Sequence, residues 1–202
     1  MQDIINLING RLSLANETVH DLNLHVGDKK YILELGCGIG CLSKTLKDYG
    51  HNVVSCDDKN YSPTTFSIRY DEILSYFNHP RLHFHYLIPL YDKNRKINKS
   101  MFDKLQQETN NTKFNLILWQ AFDLFQLEEM QYDETLYLVK NLLKFLKSNG
   151  KIIIGYTPYI PHTKDAQFES TKAYKWLQKW RSSNYTTMGD YVWEITHRTK
   201  TS

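Results

Sequence analysis

Apolar and polar positions alternate along the chain in short blocks of two kinds. Tyr31–Leu35 (Y-I-L-E-L), Asn52–Asp58 (N-V-V-S-C-D-D), Leu82–Leu87 (L-H-F-H-Y-L), Phe114–Trp119 (F-N-L-I-L-W) and Lys151–Tyr156 (K-I-I-I-G-Y) are brief runs of the length and β-branched or aromatic content expected of buried strands. Between them lie stretches with helical spacing: Cys41–Tyr49; Tyr61–Phe77, opened by Ser62-Pro63 and carrying Ile68, Ile73, Leu74 and Phe77; and Tyr132–Leu146, with Leu136, Val139, Leu143 and Leu146 on one side and Asn149-Gly150 as its stop. Strand, helix, strand in succession predicts parallel strands joined by right-handed crossovers. Leu12–Leu24 reads as a leading amphipathic helix, either roofing a pocket or covering a sheet edge. The polar stretch Lys93–Thr112 reads as an exposed loop and a short surface helix, whose lysines face water or an acidic partner. Towards the end, Ala173, Trp176, Leu177 and Trp180 follow helical spacing. Tyr185–Met188 and Tyr191–Arg198 around Gly189-Asp190 predict a hairpin, its second arm alternating Tyr191, Trp193 and Ile195.

The first strand does not end like the others. It runs through Glu34 into glycines at 36, 38 and 40 and then at once into a helix, giving E-L-G-C-G-I-G. A loop of this kind can lie flat against a ligand, because glycine has no Cβ and the following helix presents backbone N–H groups at its start. About 21 positions after Gly36 the second strand ends in Asp57 and Asp58, the placement of an acid that accepts hydrogen bonds from a ribose. A dinucleotide fingerprint would need glycine or alanine three residues after Gly38, where Cys41 stands. The spacing favours S-adenosylmethionine over NAD.

These residues closely resemble the first motif of the class I, seven-stranded S-adenosylmethionine-dependent methyltransferases, a resemblance that extends in order over roughly Ile32 to Arg198. It implies an α/β, Rossmann-like, doubly wound and mostly parallel seven-stranded sheet with a C-terminal antiparallel hairpin. The whole of 1–202 would be one methyltransferase domain, with 1–28 a helical cap and 29–202 the core. It implies S-adenosylmethionine bound by Glu34, Gly36, Cys37, Gly38, Gly40, Asp57 or Asp58, and Trp119. Family members commonly hold the adenine with an acid near the end of the third strand, where this chain has Tyr86, Leu87 and Ile88.

A second, shorter resemblance follows the fifth strand. G-Y-T-P-Y-I-P-H-T-K-D-A-Q-F-E is similar to the loop of the lysine methyltransferases that modify elongation factors and of nicotinamide N-methyltransferase-like proteins, carried by Pro158, Tyr159, Pro161, Lys164, Asp165 and Phe168. It implies methylation of a protein lysine or N-terminal amine, with Asp123, Tyr159 and Trp119 about the reacting methyl. Trp119, Phe122, Tyr156 and Tyr159 would then form an apolar pocket that favours the uncharged amine, with Asp123 orienting it or taking its proton. The other readings are that these aromatics fill the sheet edge, that the acceptor is a small molecule, or that the chain is a non-catalytic methyltransferase-like binding subunit.

Composition narrows the partners. A net charge of +3 and a pI near 8.6 fall well short of the cationic stripe on which phosphate binding rests, so nucleic acid is unsupported. No window approaches the ~18 apolar residues of a membrane span, and three cysteines in a chain opening on M-Q-D-I-I-N-L fit a soluble, cytoplasmic protein. Those cysteines, at 37, 41 and 56, read as packing residues. His83 and His85 share a strand face without companions of ligand spacing, so no metal is expected.

Overall fold

In β1 (Tyr31–Leu35), Ile32 and Glu34 point to one side of the strand while Leu33 and Leu35 point to the other, and all four are buried. A strand buried on both faces needs helices on both, and a computed structural model supplies them. It describes residues 2–37, 40–56, 84–85, 100–119, 132–155, 175, 178–180 and 192–197. The strands are β1, β2 (Asn52–Cys56), β3 (Phe84–His85), β4 (Phe114–Trp119), β5 (Leu146–Gly155) and β6 (Val192–Thr196). The helices are α1 (Gln2–Asp21), α2 (Cys41–Asp48), α3 (Ser100–Glu108) and α4 (Tyr132–Leu143), with a 3-10 turn at Gln178–Trp180.

The strands form one sheet in the order β3-β2-β1-β4-β5-β6. The first five are parallel, and β6 runs antiparallel to β5, from Lys151↔Thr196 to Gly155↔Val192. On one face Leu33, Leu35, Ile117, Trp119, Ile152, Ile154, Trp193 and Ile195 pack with Phe102 and Leu105 of α3 and Leu138, Val139 and Leu142 of α4. On the other, Ile32, Leu116, Leu118, Ile153 and Val192 pack with Ile8, Ala15 and Val19 of α1 and Leu42 and Leu46 of α2. Alternation sorts the strands' side chains between the two layers, except at Phe114, which the irregular register at the start of β4 leaves in the layer of Ile117 and Trp119.

Six strands of the expected seven-stranded sheet lie among the described residues. Tyr185–Met188, the expected first arm of the hairpin, lies outside them, and the antiparallel partner of β6 is β5. The leading helix begins at Gln2, ten residues before Leu12, because Ile8 extends the buried stripe of Leu12, Ala15 and Val19 one turn back while Gly10 sits on the exposed side. Finally, Asn149-Gly150 does not stop α4. The helix ends at Leu143, β5 has begun by Leu146, and the pairing with β4 jumps from Phe114↔Leu146 to Leu116↔Lys151. Gly150 lies in that irregularity, where a Cβ would stand 2.8 Å from the Phe114 carbonyl oxygen. The glycine serves close backbone approach at a bulge, not a helix end.

Three helices end by one device. Leu24 N–H donates to the Val19 carbonyl and Asn23 N–H to that of His20, with Asn23 left-handed at φ 53°. His51 to Leu46 and Gly50 to Lys47 repeat the pattern after α2, as Asn111 to Gln106 and Asn110 to Gln107 do after α3. This double reverse bond satisfies carbonyls the helix leaves open.

Candidate active site

The chain moves from β1 outward to β2 and β3, then returns to the other side of β1 for β4 and β5. The direction of winding therefore reverses between β1 and β4, and in open α/β sheets the crevice beyond the strand ends at such a point is where ligands sit. The glycine loop leaves β1 at that crevice. Leu35, the last residue of β1, pairs with Cys56 at the end of β2 and with Trp119 at the end of β4, so the three strands finish in one row.

Gly36 turns the chain out of the sheet with φ 72°, and Gly40 turns it into α2 with φ 81° and ψ 18°; both are left-handed conformations that residues with a Cβ adopt at a cost. Gly40 N–H donates to the Cys37 carbonyl at 2.8 Å, closing the loop on itself, and the Gly40 carbonyl accepts the first helical bond from Lys44. As the residue capping α2, Gly40 brings no side chain to its first N–H groups. A loop with left-handed glycines at both ends, lying before a helix start, suits close backbone approach to a nucleoside and an amino-acid carboxylate.

Beneath the loop lies a buried polar chain. Glu34 is 2 % exposed, Ser43 of α2 is fully buried, and Ser55 of β2, which pairs with Glu34 in the sheet, is 2 % exposed. Ser43 Oγ donates to Glu34 Oε2, so its oxygen accepts from the Ser55 hydroxyl. The carboxylate's field reaches further along α2. Burial pushes the Lys47 ammonium below the usual lysine range, opposed first by Glu34 and then by Cys37. The Cys41 thiol is pushed up to about 12, chiefly by burial, with Arg11 and Lys44 pulling it down and Glu34 adding to the rise. It is a protonated packing residue, and Cys37, also buried and in no disulfide, stands four positions before it.

Glu34, Gly36, Cys37, Gly40 and Trp119 thus lie at or next to the C-terminal ends of β1 and β4. The Trp119 ring is wholly buried in the layer facing α3 and α4. Gly38, Asp57, Asp58, Asp123 and Tyr159 lie outside the described residues, as does the loop following β5. Sequence reasoning missed Ser43 and Ser55 as members of the site. The available signal was a serine set among apolar neighbours in each segment, after Cys41-Leu42 and between Val53-Val54 and Cys56.

No family model matches the chain, and no curated protein matches its sequence. Solved structures similar to it include the PH0226 protein of Pyrococcus horikoshii OT3, at 22% identity over 70% of this chain and 56% of that one with a TM-score of 0.43. The CcbJ methyltransferase of Streptomyces caelestis is 16% identical over 69% of this chain and 47% of its own, with a TM-score of 0.44. A TehB-like SAM-dependent methyltransferase of Corynebacterium glutamicum is 15% identical over 76% and 68%, with a TM-score of 0.38. The chain spans about half the length of the first two. Likeness of this degree decides nothing about chemistry, which has to come from the chain's own residues. Among the described residues, no group of histidine, cysteine, aspartate or glutamate could hold a metal ion, and no helix is long and apolar enough to cross a membrane.

Proposed function

We propose that the chain is an S-adenosylmethionine-dependent methyltransferase, its donor held across the C-terminal ends of β1, β2 and β4. The observation that carries this reading is the loop E-L-G-C-G-I-G leaving β1 at the reversal of winding, left-handed at Gly36 and Gly40. The donor, when bound, supplies a methyl group already activated on a sulfonium. The protein's work is accordingly alignment and exclusion of water rather than covalent catalysis. Gly36 to Gly40 lie against the donor with backbone alone, and Asp57 or Asp58, which continue directly from the end of β2, accept from its ribose hydroxyls.

The acceptor is an amine of a protein, a lysine or an N-terminus. This part of the reading rests on the resemblance of the loop Gly155 to Phe168, with Pro158, Tyr159 and Pro161 at its head. A lysine amine has an ordinary pKa near ~10.4 and must be uncharged to attack. Phe122, Tyr156 and Tyr159 favour that form by keeping water away, the buried Trp119 ring lying behind them in the core, and Asp123 orients the amine or receives its proton.

Calorimetry with the donor and its demethylated product tests the cofactor assignment. Asp57→Ala or Asp58→Ala should weaken binding by about 1.5 to 3 kcal/mol, through loss of charge-assisted bonds. No binding by the unaltered chain, or full affinity in both variants, would overturn the placement. Labelled donor added to a cell lysate should mark a protein. Label appearing only in small molecules would replace the acceptor assignment and leave the reaction type standing.

A further inference from the structure

The loop that carries the proposed function is only five residues long, yet Glu34, two positions before it, and Ser43, three positions after it, are joined by a hydrogen bond that does not pass through the loop at all. Ser55 adds a third anchor from the neighbouring strand. Each member comes from a different element: Glu34 from β1, Ser43 from the first turn of α2, Ser55 from β2. All three are almost completely enclosed, so water offers the carboxylate no alternative donors on that side. The order of donation is also fixed. Ser43 has one proton and gives it to Glu34, so it receives from Ser55, and Ser55 reaches the charge only through Ser43.

Resting on the methyltransferase reading, we propose that Glu34, Ser43 and Ser55 form a brace that holds both ends of the glycine loop in the donor-binding geometry, Ser43 and Ser55 being positioning residues that touch no ligand. A chain of hydroxyls ending on a buried carboxylate favours one arrangement, because a shift of α2 against β1 breaks the Ser43–Glu34 bond inside a buried site. Gly36 and Gly40 stand on either side of that joint and are held by it. Leu42, beside Ser43, packs in the apolar layer with Ile32 of β1, so the brace adds register to a contact that apolar packing alone would let slide.

The brace makes a prediction that independent packing contacts do not. Ser43→Ala breaks both links, whereas Ser55→Ala breaks only the outer one. Ser43→Ala should therefore weaken donor binding about tenfold by calorimetry and speed amide exchange at residues 36 to 41 by about tenfold or more. Ser55→Ala should do the same to a smaller extent. Ser43→Ala/Ser55→Ala should be no worse than Ser43→Ala alone. Additive costs in that cycle, or loop exchange unchanged by Ser43→Ala, would overturn the proposal. Should Ser43→Ala not fold, Ser55→Ala decides by the same two readouts. Should the unaltered chain bind no donor, the methyltransferase reading fails while amide exchange alone still judges the brace.

Discussion

At the N-terminal end of the parallel sheet, neighbouring strands are stitched together by many separate bonds. Lys30 N–H donates to His51 Nδ1 at 3.2 Å, which leaves the proton on Nε2 to be donated to the Leu24 carbonyl at 2.7 Å. Asn52 N–H donates to the Lys30 carbonyl, Tyr31 N–H to Asn115 Oδ1 at 2.9 Å, and Phe114 N–H to the Phe145 carbonyl. Lys147 Nζ adds a second bond to Asn115 and sits 5.0 Å from the Tyr31 ring centroid. At the C-terminal end, the described residues show two left-handed glycines and a buried polar chain shaping the backbone. The two sets of bonds do different work. Side-chain tethers between neighbouring strands can lose a member and keep the sheet in register, while the chain of Glu34, Ser43 and Ser55 ties β1, α2 and β2 together where a ligand is proposed to be recognised. Stability should therefore reside at one end and binding at the other.

The largest effect should come from the stitched end. His51→Ala removes an acceptor from Lys30 and a donor from Leu24, and should lower unfolding free energy by about 3 kcal/mol, measured by denaturant titration. Donor affinity at the far end should be unaffected; a matching loss of affinity would break the division. Next comes Gly40→Ala, which should cost about 1 to 2 kcal/mol for forcing a Cβ into the left-handed region, while donor binding by calorimetry falls further than Ala substitution at exposed Gly10 produces. Equal effects at Gly40 and Gly10 would remove the special status of the loop. Smallest of all, Lys44→Ala deletes the ion pair with Asp48 one helical turn away, both partly exposed, and should change stability by no more than about 0.5 kcal/mol. A larger change would mean that Lys44 supports the buried polar chain as well as the helix surface.

The strands were legible because a sheet covered on both faces writes continuous apolar runs, and Tyr31–Leu35, Asn52–Cys56 and Phe114–Trp119 appear where those runs fall. The glycine loop was legible for a related reason, since few other uses explain three glycines at alternate positions between a strand and a helix. What escaped notice involved residues with more than one use. Gly150 follows a helix by a few positions, as a helix-ending glycine does, but its role is the close approach to the Phe114 carbonyl across the bulge. Asn23 and Asn110 end helices in the left-handed form that glycine usually takes. Ser43 and Ser55 read as ordinary polar residues because nothing local shows that α2 and β2 will both meet Glu34.

The position of β1 at the middle of the sheet also sets a schedule for folding. One of its neighbours, β2, follows shortly in the chain, but the other arrives far later: Tyr31 and Asn115, bonded across the β1–β4 seam, are 84 residues apart. Closing so long a segment has an entropic cost that grows with its length, and parallel pairing over such a separation is slow. During synthesis α1, β1, α2 and β2 can assemble while Leu33 and Leu35 still lack the layer that α3, β4 and α4 will lay over them. The seam that opens a crevice for a ligand is therefore also the last joint of the sheet's centre to close, and the half-built sheet is the form of this chain most exposed to aggregation.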